Sequence, residues 1–146
     1  GTPGTIEVYG SGPAIAAAGV KAVMQGVDSI IGDLVNQDLN AITPRTIMQA
    51  AEQGDKVALR ILDDAGKHLG AGVANVVTIV APHCIVFGGG MSALGDWILD
   101  PIKKSLAIYN HTIDHSQMAI KLAELGDDAG AIGSALWAKP SQEGRA

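Results

Sequence analysis

Apolar residues recur at steps of four or three positions between Asp55 and about Val80, and this spacing predicts one continuous helix of roughly 35–40 Å. Its apolar face consists of Val57, Ile61, Ala65, Leu69, Val73, Val76 and Val80. A second row of mostly small residues runs beside it: Ala58, Leu62, Gly66, Gly70 and Ala74. Each interior glycine costs about 1 kcal/mol of helix propensity. We therefore expect another helix to pack closely against this second row and to offset that cost.

A β-branched and aromatic run at residues 85–87 ends abruptly in three glycines, Gly88, Gly89 and Gly90. This pattern predicts a buried strand that leads into a tight turn at the start of a helix. Helical spacing continues from Ser92 to Tyr109, with Asp100-Pro101 marking a kink or a fresh first turn. The large apolar residues Met118, Ile120 and Leu122 then alternate with Ala119 and Lys121, which predicts a second strand. Strand, helix, strand and a last helix that begins after Gly126 make a right-handed parallel βαβα unit.

The rest of the chain is predicted to be helical, apart from a glycine-rich loop over residues 1–12. Pro13 favours the start of a helix over residues 14–25. Asp28 or Ser29 can cap a short helix over residues 30–35. Thr43-Pro44 favours a further helix that ends at Gly54. The predicted class is helix-rich α/β with a partial parallel sheet, as one domain over residues 1–139 and a polar tail over residues 140–146.

Two strands make a poor sheet, because a stable sheet normally has three or more. We therefore expect further strands from sequence outside this chain or from a partner chain. The long helix or the exposed sheet edge is expected to mediate self-association into a homo-oligomer, since an isolated half would expose a large apolar patch.

Composition indicates a globular chain: 47% of the 146 residues are hydrophobic and 17% are charged. Ten basic and fifteen acidic residues give a net charge of −5 without a basic cluster, which argues against a nucleic-acid surface. The single cysteine, Cys84, excludes an internal disulfide and is compatible with a reducing, cytoplasmic compartment. No apolar window is long enough for a membrane span. The chain opens Gly-Thr-Pro-Gly-Thr without Met, so we expect a fragment or a processed product.

The glycine triplet is the first candidate ligand site. Three residues without Cβ let a flat or charged group approach the backbone, and free N–H groups at a following helix start favour phosphate. Two other interpretations stand beside this one. The glycines can serve only a tight turn and close packing, or residues 88–93 can be a G-x-G-x-x-A dinucleotide fingerprint. The dinucleotide fingerprint also requires an acidic residue about 20 positions further along the chain, and this residue is missing. The sequence contains no P-loop motif.

Other candidates are individual side chains. His111 and His115 have the spacing of two metal ligands on one helix face, but their segment is polar and predicts a solvated loop without further ligands nearby. For His83 and Cys84 a packing role is expected, and the paired aspartates 63–64 and 127–128 fit a solvated helix face and a helix cap. The carboxylate of Glu7, in a glycine-rich neutral segment, can bind sugar hydroxyls or simply be solvated.

Four ordered motifs in the chain resemble those of the C-terminal half of ROK-family proteins, which are sugar kinases of glucokinase type and sugar-responsive repressors. Residues 1–11 look like the family's G-x-x-G-C-x-E-x-x-x-S segment, and residues 51–58 like its A-x-x-G-D-x-x-A helix start. Residues 82–92 are similar to P-x-x-I-V-x-G-G-G-x-S, and residues 125–135 to L-G-D-x-A-G-x-x-G-x-A. The resemblance implies the C-terminal part of an actin-like, ribonuclease-H-like ATPase fold.

The resemblance also implies a function and site residues. An ATP-dependent hexose kinase would use Glu7 to bind the sugar and Gly88, Gly89 and Gly90 on the adenosine side of the nucleotide. ATP and Mg²⁺ would be held mainly by an absent N-terminal half, which also carries the phosphate loop and the catalytic aspartate. Zinc is doubtful, because Thr5 stands where the family has a cysteine. No catalytic or metal-binding residue is therefore assigned to this chain, which alone should bind nucleotide poorly and should not phosphorylate sugar.

Two further function classes remain open from the sequence. The same half-fold can belong to a sugar-sensing ROK repressor that binds sugar without catalysis. A dinucleotide-dependent oxidoreductase would instead require nicotinamide binding near residues 88–93. Neither the identity of the sugar nor the choice between kinase and repressor follows from these residues.

Overall fold

The computed structural model describes residues 2–110 and 118–138. Six α-helices and two strands lie within these ranges: α1 Ile6–Gly10, α2 Gly12–Met24, α3 Pro44–Glu52, α4 Lys56–Val80, β1 Cys84–Phe87, α5 Asp96–Tyr109, β2 Ala119–Leu122 and α6 Ala129–Ala138. Short 3₁₀ segments occur at Asp33–Val35, Leu39–Ala41, Gly89–Leu94 and Gly126–Asp128. None of the described helices has the length and hydropathy that crossing a membrane requires.

Helix α4 is the central element, and its predicted extent is confirmed. Asp55 caps its first turn by accepting hydrogen bonds from the backbone N–H groups of Val57 and Ala58 at 2.9 and 2.8 Å. Along the predicted apolar face, however, burial stops after the first half. Val57, Ile61 and Ala65 are buried, whereas Val76 and Val80 are half exposed or more. Val76 and Val80 in the last turns of α4 are therefore apolar residues that the described part of the chain leaves largely uncovered.

The small-residue row of α4 is where α5 packs, as expected for a row with interior glycines. A Cβ at Gly66 or Gly70 would collide with Pro101 or Ser105 of α5. Pro101 lies inside α5, which continues through it without a new start. This row is therefore filled by α5, and the self-association predicted for the long helix or the sheet edge stays a prediction for the exposed end of α4 and for the sheet edge.

Strands β1 and β2 form a two-stranded parallel sheet, in the predicted order and direction. Cys84 pairs with Ala119, and Phe87 pairs with Leu122. The expectation that the first strand is buried is wrong. Ile85 and Phe87 are only half-buried, and Cys84 and Val86 are exposed, because the second face of the sheet is uncovered in the described residues.

Three local predictions also need correction. The loop predicted over residues 1–12 contains the short helix α1. Residues 30–35 form turns and one 3₁₀ turn instead of a helix, because Asp55 Oδ2 accepts the N–H of Ile30 at 2.7 Å and Ser29 Oγ accepts the N–H of Ile31. His83 and Cys84 are exposed, so the packing role expected for them is also wrong.

Candidate functional site

The glycine triplet follows β1 directly and lies on the surface. Gly88 continues the extended backbone of the strand, and Gly89 turns the chain with φ +72°, a conformation that favours glycine. Gly90 has open space where a Cβ would be, so its lack of a side chain leaves room for another group. All three residues are exposed. The turn is therefore accessible, as a ligand site requires.

The helix predicted to start right after the triplet is displaced. Residues Gly89–Leu94 form a 3₁₀ segment, and α5 begins only at Asp96, after Gly95 has turned the chain with φ +57°. Ser92 Oγ donates to the carbonyl of Gly89 at 2.7 Å and stabilises the turn. Residues 91–95 thus separate the triplet from the free N–H groups at the start of α5. The structure therefore does not support the expected phosphate contact with that helix start.

An open cavity of about 520 Å³ lies between the glycine turn and the N-terminal ends of α2 and α3. Its lining comes from three separate parts of the chain: Gly12, Pro13, Thr43, Pro44, Arg45, Met48, Gly90, Met91, Ala93 and Leu94. Most of these side chains are apolar, and Arg45 is the one charged residue among them. Of the three predicted glycines, Gly90 lines the cavity, whereas Gly88 and Gly89 do not.

The α3 side of this cavity is fixed by a capping box. Thr43 Oγ1 accepts the N–H of Thr46, and Thr46 Oγ1 accepts the N–H of Thr43 in return. Pro44 occupies the first turn, where its missing N–H costs nothing. Sequence reasoning found this helix start but not its role, since nothing local links Pro44 or Arg45 to Gly90.

Glu7 lies in the first turn of α1, exposed. It forms no ion pair within the described part of the chain and does not line the Gly90 cavity. Its helix is held against α4 by three contacts. The side chain of Ile6 fills the space above Gly72, Gly10 lies against Leu69, and the ring of Tyr9 stacks on that of His68 with centroids 4.6 Å apart. The structure therefore places Glu7 on a helix that packs against α4, with its side chain exposed.

The other candidate ligands form no metal site within the described residues. His111 and His115 lie outside the described residues. Among residues 2–110 and 118–138, no group of three or more His, Cys, Asp or Glu side chains is arranged to hold a metal ion. Asp63 and Asp64 each form an exposed ion pair with Lys67, in keeping with the expected solvated helix face.

Several known proteins are similar to this chain. The model of the ROK family matches residues 1–141. The glucokinase of Halalkalibacterium halodurans is 32% identical over 143 residues, which are 98% of this chain and 43% of that enzyme. A xylose repressor of Caldicellulosiruptor bescii is 29% identical over 133 residues, 91% of this chain and 33% of the repressor.

The fold is similar to that of a ROK family glucokinase from Streptomyces griseus, whose crystal structure contains glucose and AMPPNP. The TM-score is 0.78 at 28% identity, over 94% of this chain and 45% of that one. The chain thus spans less than half the length of these relatives. The helix-rich fold with its small parallel sheet is the C-terminal part of an actin-like ATPase fold. With the match over residues 1–141, the resemblance seen in the four motifs is confirmed, and the chain belongs to the ROK family.

Proposed function

We propose that this chain is the C-terminal portion of an ATP-dependent hexose kinase of glucokinase type, and that the Gly90 cavity takes the adenine end of ATP. The observation that carries the proposal is the cavity itself. Its volume of about 520 Å³ lies within the range of small-molecule sites, and its walls are largely apolar, as a flat heteroaromatic base requires.

The chemistry of the walls fits a nucleotide base and its phosphates. Pro44 and Met48 lie on the α3 side, and Gly90 and Met91 lie on the turn side, so a planar ring can lie between apolar groups. Arg45, at the same opening, supplies one cation for the phosphate chain. The relative from Streptomyces griseus has AMPPNP bound, which supports an ATP analogue as the ligand class.

The sugar side is assigned to Glu7. An ionised carboxylate accepts hydrogen bonds from two hydroxyl groups, and the free, exposed side chain of Glu7 satisfies this requirement. Phosphoryl transfer further needs an aspartate base, a phosphate loop and Mg²⁺ in line with the sugar hydroxyl. We place these on the part of the relatives' fold that this chain does not cover. The chain alone should therefore bind nucleotide weakly and should not catalyse transfer.

A second function is the sugar-sensing part of a ROK repressor. The xylose repressor that matches 91% of this chain favours it. In that case the Glu7 region would bind sugar, and phosphoryl transfer would be absent. Only the kinase would phosphorylate glucose with ATP. An assay of this reaction in the full-length protein that contains this chain therefore distinguishes the two functions.

The nucleotide site can be tested on the chain itself by NMR titration with Mg-ATP. We expect weak, saturable binding with shifts at Pro44, Met48 and Met91, and loss of binding in Gly90→Leu, whose side chain would enter the cavity. Gly133→Leu is the matched control, because a Cβ there also meets open space but lies on α6, away from the cavity. Saturable binding that persists in Gly90→Leu would disprove the adenine assignment.

A further inference from the structure

A second cleft of about 520 Å³ lies between α1, α2 and α4. It shares no lining residue with the Gly90 cavity. Val8, Tyr9 and Val57 in its lining belong to two of the four motifs, but neither Glu7 nor the Gly90 cavity of the proposed kinase function is part of it. Its walls differ in kind from those of the first cavity, because polar and apolar groups contribute to them in separate layers.

The floor of this cleft is apolar and belongs to the core. Ile15 and Ala22 from α2 and Val57, Ile61 and Ala65 from α4 form it, and each is at most 9% exposed. A ring or hydrocarbon body placed on this floor would bury its surface against packed, rigid side chains. Such burial contributes roughly 25 cal/mol per Å² of apolar surface.

The rim carries two cations that have no ion-pair partner among the described residues. Lys21 on α2 and Arg60 on α4 both line the cleft, and neither forms an ion pair with any described residue. The one acidic group in the lining, Asp64, lies 3.6 Å from Lys67, which is closer to Asp63, so the cations of the lining outnumber its carboxylate by two to one. Two cations thus face one cleft across two helices, on a chain whose net charge is −5.

The stacked rings of Tyr9 and His68 form part of the wall. They add a polar edge and a flat aromatic surface next to the cationic rim. An anionic head group held at the rim, with a ring below it on the apolar floor, would contact all three kinds of surface at once.

We propose that this cleft binds a small phosphomonoester with a ring-shaped body, with its phosphate between Lys21 and Arg60 and its ring on the Ile15 floor. A phosphomonoester carries up to two negative charges and three acceptor oxygens, so both cations can bind it together. This site is separate from the proposed nucleotide and sugar sites. Its failure would leave the kinase assignment unchanged.

The test is an NMR titration of the chain with phenyl phosphate, a probe that combines the two features and resembles neither purine nor hexose. We expect saturable binding with shifts at Ala18, Ala22 and Ile61, tighter than for inorganic phosphate and absent for phenol. The double variant Lys21→Gln/Arg60→Gln should weaken it at least about tenfold. Lys104→Gln/Lys121→Gln removes the same charge from exposed positions outside the cleft and should leave affinity unchanged.

Salt dependence gives a second measurement that does not rely on any variant. Affinity for phenyl phosphate should fall as NaCl is raised from about 50 to 200 mM, because exposed charges are screened. Shifts confined to the Gly90 cavity, equal loss in both double variants, or benzoate binding as tightly as phenyl phosphate would each overturn the proposal.

Discussion

Ser105 of α5 lies directly over Gly70 of α4, so close that a Cβ on Gly70 would be 2.5 Å from the Cβ of Ser105. The Ser105 hydroxyl donates to the carbonyl of Lys67 at 2.8 Å and ties the two helices together at this point. The same Cβ would lie 2.6 Å from the carbonyl oxygen of Ile102, a backbone atom that cannot rotate away. The α4–α5 contact is therefore set by the absence of a side chain at Gly70.

Gly70→Ala should destabilise the chain. Overpacking costs about 1–3 kcal/mol, and the gain of about 1 kcal/mol in helix propensity offsets only part of it. Because one of the atoms that the new Cβ would meet is backbone, we expect a cost near the upper end of that range and a net loss of about 2 kcal/mol in the free energy of unfolding, measured by urea denaturation. Gly130→Ala, in α6 with open space around its Cβ, should be neutral or slightly stabilising. A neutral Gly70→Ala would contradict the close contact.

Gly72→Ala should behave differently from Gly70→Ala, although both glycines are buried in α4. The atoms that a Cβ at Gly72 would meet belong to the end of the Ile6 side chain, which is 45% exposed and can rotate. The gain of about 1 kcal/mol in helix propensity is opposed by the contact that Ile6 loses, so we expect a net change below about 0.5 kcal/mol in unfolding free energy, with the largest NMR shifts in α1. A loss as large as that of Gly70→Ala would show that α1 is held more rigidly than these contacts imply.

Asp55→Ala should remove two stabilising roles at once. One Asp55 oxygen caps α4, and the other holds the turn at Ile30, 25 residues earlier. We expect a loss of roughly 2–3 kcal/mol in unfolding free energy, from the cap and from one charge-assisted hydrogen bond. Asp38→Ala removes an exposed cap in a 3₁₀ turn, where it accepts the N–H of Asn40, and should cost less than about 1 kcal/mol.

The contribution of Asp55 should depend on pH. Partial burial works to raise its pKa, but hydrogen bonds from Ala58, Ile30, Ser29 and Val57 outweigh this and lower the pKa below its ordinary value of 3.8. A lowered folded-state pKa means that the contribution is fully present above about pH 4 and is lost as pH falls through the folded-state value. The stability difference between the wild type and Asp55→Asn should therefore be constant from pH 7 to 5 and should shrink below pH 4. A difference that grows on acidification would contradict this sign.

Glu7→Gln tests the sugar side of the proposed kinase in the full-length protein. Loss of a charged acceptor for sugar hydroxyls should raise KM for glucose by roughly tenfold to a hundredfold, with KM for ATP unchanged. Glu52→Gln, a conservative change at an exposed position at the end of α3, should leave both constants unchanged. An unaltered glucose KM in Glu7→Gln would remove Glu7 from the sugar site.

Local patterns predicted the elements whose cause is local. Residues close together in sequence determine the helical period of α4, the start of α3 at Thr43-Pro44 and the alternation of β2. Each of these predictions was confirmed. The need for a partner at the glycine row of α4 was also predictable, since interior glycines lower helix propensity. That α5 is this partner follows only from the fold.

Errors arose where distant residues decide the structure. The turn at Ile30 depends on Asp55, and the next residue, Ile31, is fully buried without being helical. The Gly90 cavity brings together Pro13, Pro44 and Met91, which no sequence spacing connects. The hydrophobicity of residues 85–87 predicted a buried strand. The exposure of Val86, however, depends on whether another layer covers the sheet.

The exposed position of Cys84 on the open side of β1 provides a practical consequence. Its thiol is the only one in the sequence, so a thiol-reactive dye would attach to one known point on that side of the sheet. Fast labelling of the isolated chain and slow labelling of the full-length protein would report directly that another polypeptide segment shields this surface.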